Sequence, residues 1–238
     1  KKFIRAVKSF LAIKDERIQL VIASDGCEKT HKLYYKHFKK EPRIEYVYVD
    51  KNTPKMYEKT SEDNNEQYYR GLPRQAARVL AEGYLTAYID SEDFLMPNAA
   101  KNIKSHWNAT CKQNPDKEFK WAAMTNWIEN EAMKAGLENG KSSEIFGPIA
   151  EPFKIKGLKS KWQKYSMHEP NKNVQSTTWA TVHRSDCITK WKDHQSDPKK
   201  GGISEDTIFA RGIRKEGQGM LISDGFYVRC HYHGIWDH

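Results

Sequence analysis

Leu85-Thr86-Ala87-Tyr88-Ile89-Asp90-Ser91-Glu92-Asp93-Phe94-Leu95-Met96-Pro97 is the stretch on which the reading of the fold turns. An apolar, β-prone run ends abruptly in three carboxylates, and a proline then opens what reads as a helix. A buried strand that ends in this way delivers charge to a cleft. If the extended backbone persists past Ile89, Asp90 and Glu92 lie two apart and share one side of the strand end. Two hard oxygen ligands on one side suit a divalent cation such as Mg²⁺ or Mn²⁺. Acidic residues at this place also serve simply to cap a following helix, whose N-terminus favours negative charge. The order of the flanking elements decides between the two.

Upstream, Phe3 to about Lys14 reads as a helix and Ile18 to Ala23 as a buried strand that stops at the Ser24-Asp25-Gly26 turn. Thr30 then caps a second helix carrying Leu33, Tyr34, His37 and Phe38, and Arg43 to Asp50 returns as a strand. This βαβ rhythm predicts a parallel sheet with helices on its faces. Lys51 to Tyr69 is polar, without apolar period, and reads as a surface loop. Gly71-Leu72-Pro73 opens the next helix, with Arg74 and Arg78 on one face, and Gly83 ends it. After the carboxylate strand comes a helix with Ala99, Ile103 and Trp107 inward.

The second half is less regular. Lys120 to Ile128 and Thr177 to Arg184 read as strands, Ile203 to Lys215 as a helix opening on Glu205-Asp206, and Phe226 to Tyr232 as a final strand ending in His231 and His233. Glu129 to Asn173 yields no element, and Lys190 to Gly202 reads as a charged loop. No linker rich in Pro, Gly or Ser separates two domains. The expectation is one α/β domain over 1–238, with a mixed, mostly parallel central sheet flanked by helices.

A net charge of +9 invites a nucleic-acid reading, but the lysines are scattered among 31 acidic residues and no nucleic-acid motif appears, so solvated surface is the better account. The basic field also suits an anionic substrate, a phosphorylated donor or a membrane surface. No run approaches the roughly 18 apolar residues of a membrane span. Phe3, Val7, Phe10 and Leu11 are spaced as one face of an amphipathic helix rather than as a signal peptide, which points to residues upstream of Lys1. Cys27, Cys111, Cys187 and Cys230 match no zinc or redox spacing and read as reduced thiols in the cytoplasm.

With these elements placed, the chain resembles the family 2 glycosyltransferases of the GT-A fold along almost its whole length. Ser24-Asp25-Gly26 is similar to the family's Asp-Gly turn at the nucleotide base. Gly71 to Gly83, with Ala77-Arg78 inside it, resembles the glycine-to-Ala-Arg helix before the metal strand. Tyr88 to Asp93 with Pro97 resembles the DxD-type segment, Val182-His183-Arg184-Ser185 the strand before the acceptor loop, and Glu205-Asp206-Thr207-Ile208-Phe209 the acidic pair opening the acceptor-side helix. Two departures stand out. Glu92 replaces the usual second Asp, which moves its carboxylate about 1.5 Å further out, and the family's first strand is missing before Lys1.

The resemblance implies a metal-dependent, inverting transfer of a sugar from a nucleotide-sugar donor, UDP-sugar favoured, to a hydroxyl of a saccharide or lipid-linked saccharide. Residues 1–114 would then form the nucleotide-sugar half and 115–238 the acceptor half. Asp25, Arg78, Asp90 and Ser91 would bind the nucleotide sugar; Asp90, Glu92 and His231 or His233 would hold Mn²⁺ or Mg²⁺. Asp206 would act as general base, with Glu205 binding acceptor or holding the loop, and Trp179 would stack on the acceptor sugar. Each has a plainer reading: Arg78 in a structural ion pair, Trp179 in the core, the histidines at the surface, and Glu205-Asp206 as first-turn acids. Placement at the inner face of a membrane follows if the acceptor is lipid-linked. A metal-dependent hydrolase, a nucleotidyltransferase on a related α/β fold and a basic nucleic-acid-binding module are the alternatives. The first would need more histidines than His31 and His37 near the first strands.

Overall fold

The computed structural model describes residues 2–50, 71–91, 93–95, 97–124, 126–129, 153–154, 161–165, 181–192, 205–222 and 227–229. The described chain is α/β and divides into two compact units, 1–15, 87–183 and 217–238 in one, 16–86 and 184–216 in the other. The expectations for Lys51–Tyr69 and for Thr177–Ala180 lie outside the described residues.

The first described element is α1 (Lys2–Leu11), which buries Val7 and Phe10. It belongs to the first unit, where the Ser9 hydroxyl accepts the Leu95 N–H at 2.8 Å.

The second unit contains β1 (Leu20–Asp25), α2 (Glu28–His37) and β2 (Ile44–Val49). The two strands pair in parallel from Leu20 opposite Ile44 to Asp25 opposite Val49, the pairing that the βαβ rhythm predicted. Gly26, at φ 58°, turns the chain out of β1, and its N–H donates to the Val49 carbonyl at 2.8 Å. That left-handed turn is cheap only for glycine. It admits the chain to α2 sooner than predicted: Cys27 is the N-cap residue, and Thr30 lies inside the first turn rather than capping it. Across the unit, Tyr34 of α2 stacks on Tyr46 of β2 at 4.2 Å and 9°.

Helix α3 (Gly71–Val79) packs on β1 and β2. It stops at Val79, not at Gly83. The Gln19 side chain, just before β1, accepts the Glu82 N–H at 3.1 Å and donates to the Leu80 carbonyl at 3.3 Å. At the helix end itself the Ala77 and Arg78 carbonyls accept the Leu80 and Ala81 N–H groups, and Gln19 holds the residues that follow.

Strand β3 (Leu85–Ala87) ends two residues earlier than the sequence pattern suggested, and Tyr88, Ile89 and Asp90 continue outside it. A two-residue β4 (Phe94–Leu95) intervenes before α4 (Ala99–Gln113). Pro97 lies in the turn ahead of that helix and Asn98 is its N-cap. The α4 face carrying Ala99, Ile103 and Trp107 is buried as its spacing predicts.

The expected strand from Lys120 to Ile128 is two strands in different sheets, β5 (Phe119–Met124) and β6 (Asn126–Glu129). In the stretch with no predicted element lie β7 (Phe153–Lys154) and β8 (Lys161–Tyr165). They are followed by β9 (Thr181–Arg184), α5 (Glu205–Arg214), the unanticipated β10 (Gln218–Ile222) and β11 (Tyr227–Arg229).

Among the described residues the strands form three sheets, β1–β2, β10–β5–β9–β3 and β4–β11–β6–β8–β7. β10 with β5 and β11 with β6 are parallel, whereas β5 with β9, β11 with β4, and β8 with both β6 and β7 are antiparallel. The sheets are mixed, as the sequence predicts: with β1–β2 included, three of these pairings are parallel and four antiparallel. Strand β5 is the core of its sheet: Phe119, Trp121, Ala122, Ala123 and Met124 are all buried, as for a strand covered on both faces.

Candidate functional site

The acidic pair Glu205-Asp206 occupies the first turn of α5, where the helix N-terminus favours negative charge. It is not left to capping alone. One nitrogen, Arg74 Nη1 on α3, donates to Glu205 Oε1 at 3.0 Å and to Asp206 Oδ1 at 2.5 Å. The side chain of Glu205 is 7% exposed and that of Asp206 25%, so only the second carboxylate keeps a substantial face to solvent. Arg74 also lies 4.9 Å over the Trp191 ring, which stacks on Phe209 of α5 at 4.1 Å and 4°. Behind the acidic pair, Phe209, Ala210 and Ile213 are the buried face of α5, whereas Ile208 is only partly buried.

One helical turn along α3, Arg78 donates from its guanidinium to the carbonyl oxygens of Cys187 and Thr189, and its charge lies 5.7 Å from the Phe209 ring centre. Gln75 accepts the Trp191 N–H at 2.9 Å. From the far side, Glu216 accepts the N–H groups of Ile188 at 2.7 Å and Thr189 at 2.6 Å. Residues 187–191 are thus held by side chains on both flanks rather than by a ladder. Burial opposes ionisation of Glu216, but the hydrogen bonds from Thr189 and Ile188 hold its carboxyl below the ordinary value.

In the same unit, Asp25 ends β1 and is exposed. Beside it, burial works to raise the Cys27 thiol, but hydrogen bonds from Thr30 and Lys29 bring it below its ordinary value. His31 is ringed by Tyr35, Tyr46 and Tyr48 at 4.6, 5.7 and 5.2 Å between ring centres. The carboxylate at this cluster is Glu28, which accepts the Tyr48 hydroxyl at 3.0 Å; Asp25, paired with Val49, alternates to the other face of the two strands.

Asp90 and Ser91 belong to the other unit. Asp90 is half-buried and its carbonyl accepts the Asp93 N–H at 3.1 Å, which closes a turn around Ser91. Two residues earlier, the Tyr88 hydroxyl meets His183 Nε2 at 2.9 Å. Glu92, Trp179, His231 and His233 lie outside the described residues. Among the described residues no group of three or more His, Cys, Asp or Glu side chains converges to hold a metal ion, and Asp90 is the only expected ligand among them.

The sequence pattern puts Arg74 on one face with Arg78 and gives it no role, and it makes Trp191 part of a charged loop. The i, i+4 arginines were the available signal for the first. A lone tryptophan inside a charged run, Lys190-Trp191-Lys192, was the signal for the second. The described cysteines, Cys27, Cys111 and Cys187, are free thiols. Among the described residues no helix is long and apolar enough to cross a membrane.

No family model and no curated protein sequence matches the chain. Solved structures do. S. aureus TarS 1-349 superposes with a TM-score of 0.61 at 13% identity, over 97% of this chain and 57% of that one. The same TarS fragment in complex with UDP-GlcNAc gives 0.61 at 12% identity over 98% and 55%, and in complex with UDP 0.59 at 12% over 96% and 56%. The chain therefore spans little more than half the length of these TarS fragments. At such identity the likeness is one of fold, and on that ground the chain has a GT-A-type α/β fold.

Proposed function

We propose that this chain is the nucleotide-sugar-dependent core of a glycosyltransferase, taking a UDP-sugar and transferring the sugar with inversion to a hydroxyl of a saccharide or lipid-linked saccharide. The observation that carries the proposal is the shared fold with TarS, over 97% of this chain, in a protein whose structures hold UDP-GlcNAc and UDP. Asp206 is the general base: it takes the acceptor hydroxyl's proton as that oxygen attacks the anomeric carbon and the bond to the diphosphate breaks. Its partial exposure, against the near-complete burial of Glu205, supports this division of labour. Glu205 holds Arg74 and the helix start.

By resemblance Asp25 is assigned to the nucleotide base, and Asp90 with Ser91 to the ribose and diphosphate. Arg78 belongs to the nucleotide-sugar side by resemblance, and Trp179 to the acceptor. Mn²⁺ or Mg²⁺ is assigned on the sequence pattern, with Glu92 and His231 or His233 joining Asp90. Bound there, the ion would neutralise charge on the leaving diphosphate. Free thiols suit a cytoplasmic setting, at the inner face of a membrane if the acceptor is lipid-linked.

Calorimetric titration with UDP, GDP and dTDP, each with and without Mn²⁺, tests the reading. Metal-dependent binding of UDP is the expected result. Binding of none of the three, with or without metal, overturns it. Glu92→Ala and Asp206→Ala should both abolish transfer, with only the former weakening metal-dependent donor binding. Full activity in both variants would sink the assignment of roles.

A further inference from the structure

We infer that Tyr88 and His183 form a positioning pair that fixes the direction in which the chain leaves β3 and so aims Asp90 at the nucleotide. The inference rests on the reading of Asp90 as a nucleotide-binding residue. Strand β3 ends at Ala87, so the pairing that would carry its direction forward stops before the carboxylate is reached. Tyr88 is the next residue, and its hydroxyl lies 2.9 Å from His183 Nε2, with the two rings 5.7 Å apart and inclined by 29°.

His183 is a firm anchor. It is fully buried, it lies on β9, and it stands opposite Trp121 of β5, itself in the core. Val182 and Thr181 before it are equally buried. A packed strand position of this kind ordinarily carries an aliphatic side chain. An imidazole there must be hydrogen-bonded to be tolerated, and its bond to a phenol on the outgoing segment ties that segment to the core. Two residues span at most about 7 Å. Once Tyr88 is pinned, the reach of Asp90 is confined to that radius, and the Asp90–Asp93 turn confines it further.

The pair is tested by titrating UDP, at one fixed Mn²⁺ concentration, into the wild-type chain and the variants Tyr88→Phe, His183→Gln and His183→Leu, with thermal unfolding measured alongside. Tyr88→Phe removes one oxygen and leaves the ring, but it takes a partner from the buried imidazole, so it should lower the melting temperature by several degrees and, in the folded protein, weaken UDP binding about tenfold. His183→Gln retains a nitrogen that can meet the phenol and should bind within about threefold of wild type, whereas His183→Leu should match Tyr88→Phe. A purely structural pair would lower the melting temperature and leave UDP affinity alone; that result in Tyr88→Phe overturns the inference, and it remains decisive if His183→Leu fails to fold. Wild-type chain that binds no nucleotide overturns the proposed function, and this inference with it.

Discussion

Arg74 and Asp206 stand 132 positions apart in the sequence, yet the arginine Nη1 meets the aspartate Oδ1 at 2.5 Å and, with the same nitrogen, Glu205 Oε1 at 3.0 Å. One guanidinium therefore aims two adjacent carboxylates whose backbone alone would leave them pointing into solvent as ordinary first-turn acids. Arg74→Met removes that aim and leaves Glu205 nearly buried without its cation. The expected loss is roughly 2 to 3 kcal/mol of stability, below the range for fully buried pairs because Arg74 is partly exposed. Transfer should fall about a hundredfold, as for a misplaced catalytic group. Urea unfolding and initial rates check the two effects; unchanged transfer in the folded variant would show that the aim is irrelevant.

Asp206→Asn isolates chemistry from structure. The amide keeps the size of the side chain and an oxygen facing Arg74, but it cannot take a proton. A general base contributes roughly 10²–10⁴-fold, so kcat should drop by that factor while the KM for donor stays within about twofold. Glu205→Gln should show the opposite emphasis, with a lower unfolding midpoint and a smaller rate effect, because its carboxylate is buried against Arg74. Steady-state kinetics on both variants separates the roles, and equal kcat losses would dissolve the division.

The parts of this architecture visible in the sequence were those written in local patterns. The β1–α2–β2 unit shows in two apolar runs around a glycine turn, and the buried face of α4 shows in the spacing of Ala99, Ile103 and Trp107. Glu205-Asp206 could be found from its place at a helix start. What stayed hidden depends on distant partners. Strand β10 carries only five residues, one of them Gly219, and is a strand because β5 offers it a parallel edge. Helix α3 ends before Gly83 because the Leu80 and Ala81 N–H groups tighten onto the Ala77 and Arg78 carbonyls, and a side chain far upstream, Gln19, then holds Leu80 and Glu82. Arg74 shows the same limit: helical spacing puts it on a face, but only the fold brings α5 to that face.

Glu216 gives stability a pH dependence of known sign. Burial opposes its ionisation, yet the hydrogen bonds from Thr189 and the Ile188 and Thr189 N–H groups, with Arg78 nearby, hold the folded carboxyl below its ordinary 4.5. A depressed folded value means that the stabilisation is fully present above the unfolded value and is lost as pH falls through the folded one. Glu216→Gln should therefore unfold at lower temperature than wild type near neutral pH. The gap should narrow below about pH 4.5 and close at lower pH, once the wild-type carboxyl is protonated in both states. Thermal melts of the two proteins across that range check it; a gap that persists in acid would place the effect in packing rather than charge.

Gly219 is the position where β10 comes too close to β5 for any side chain. It pairs with Trp121 across the parallel ladder, just after a register shift at Gln218, and a Cβ built on it would fall inside van der Waals contact of the indole ring. That ring cannot swing away: it is 4% exposed and its Nε1–H donates to the Gly217 carbonyl at 3.1 Å. Gly219→Ala should cost roughly 2 kcal/mol by overpacking, which for a chain of this size is roughly 4 to 8 °C in melting temperature. Gly83→Ala is the control, because a Cβ there meets nothing nearer than the Leu85 carbonyl at 3.4 Å and the position is exposed. The control should stay within about 0.5 kcal/mol of wild type. Differential scanning calorimetry of both variants decides, and an unshifted midpoint in Gly219→Ala would mean that β10 is free to move off the indole.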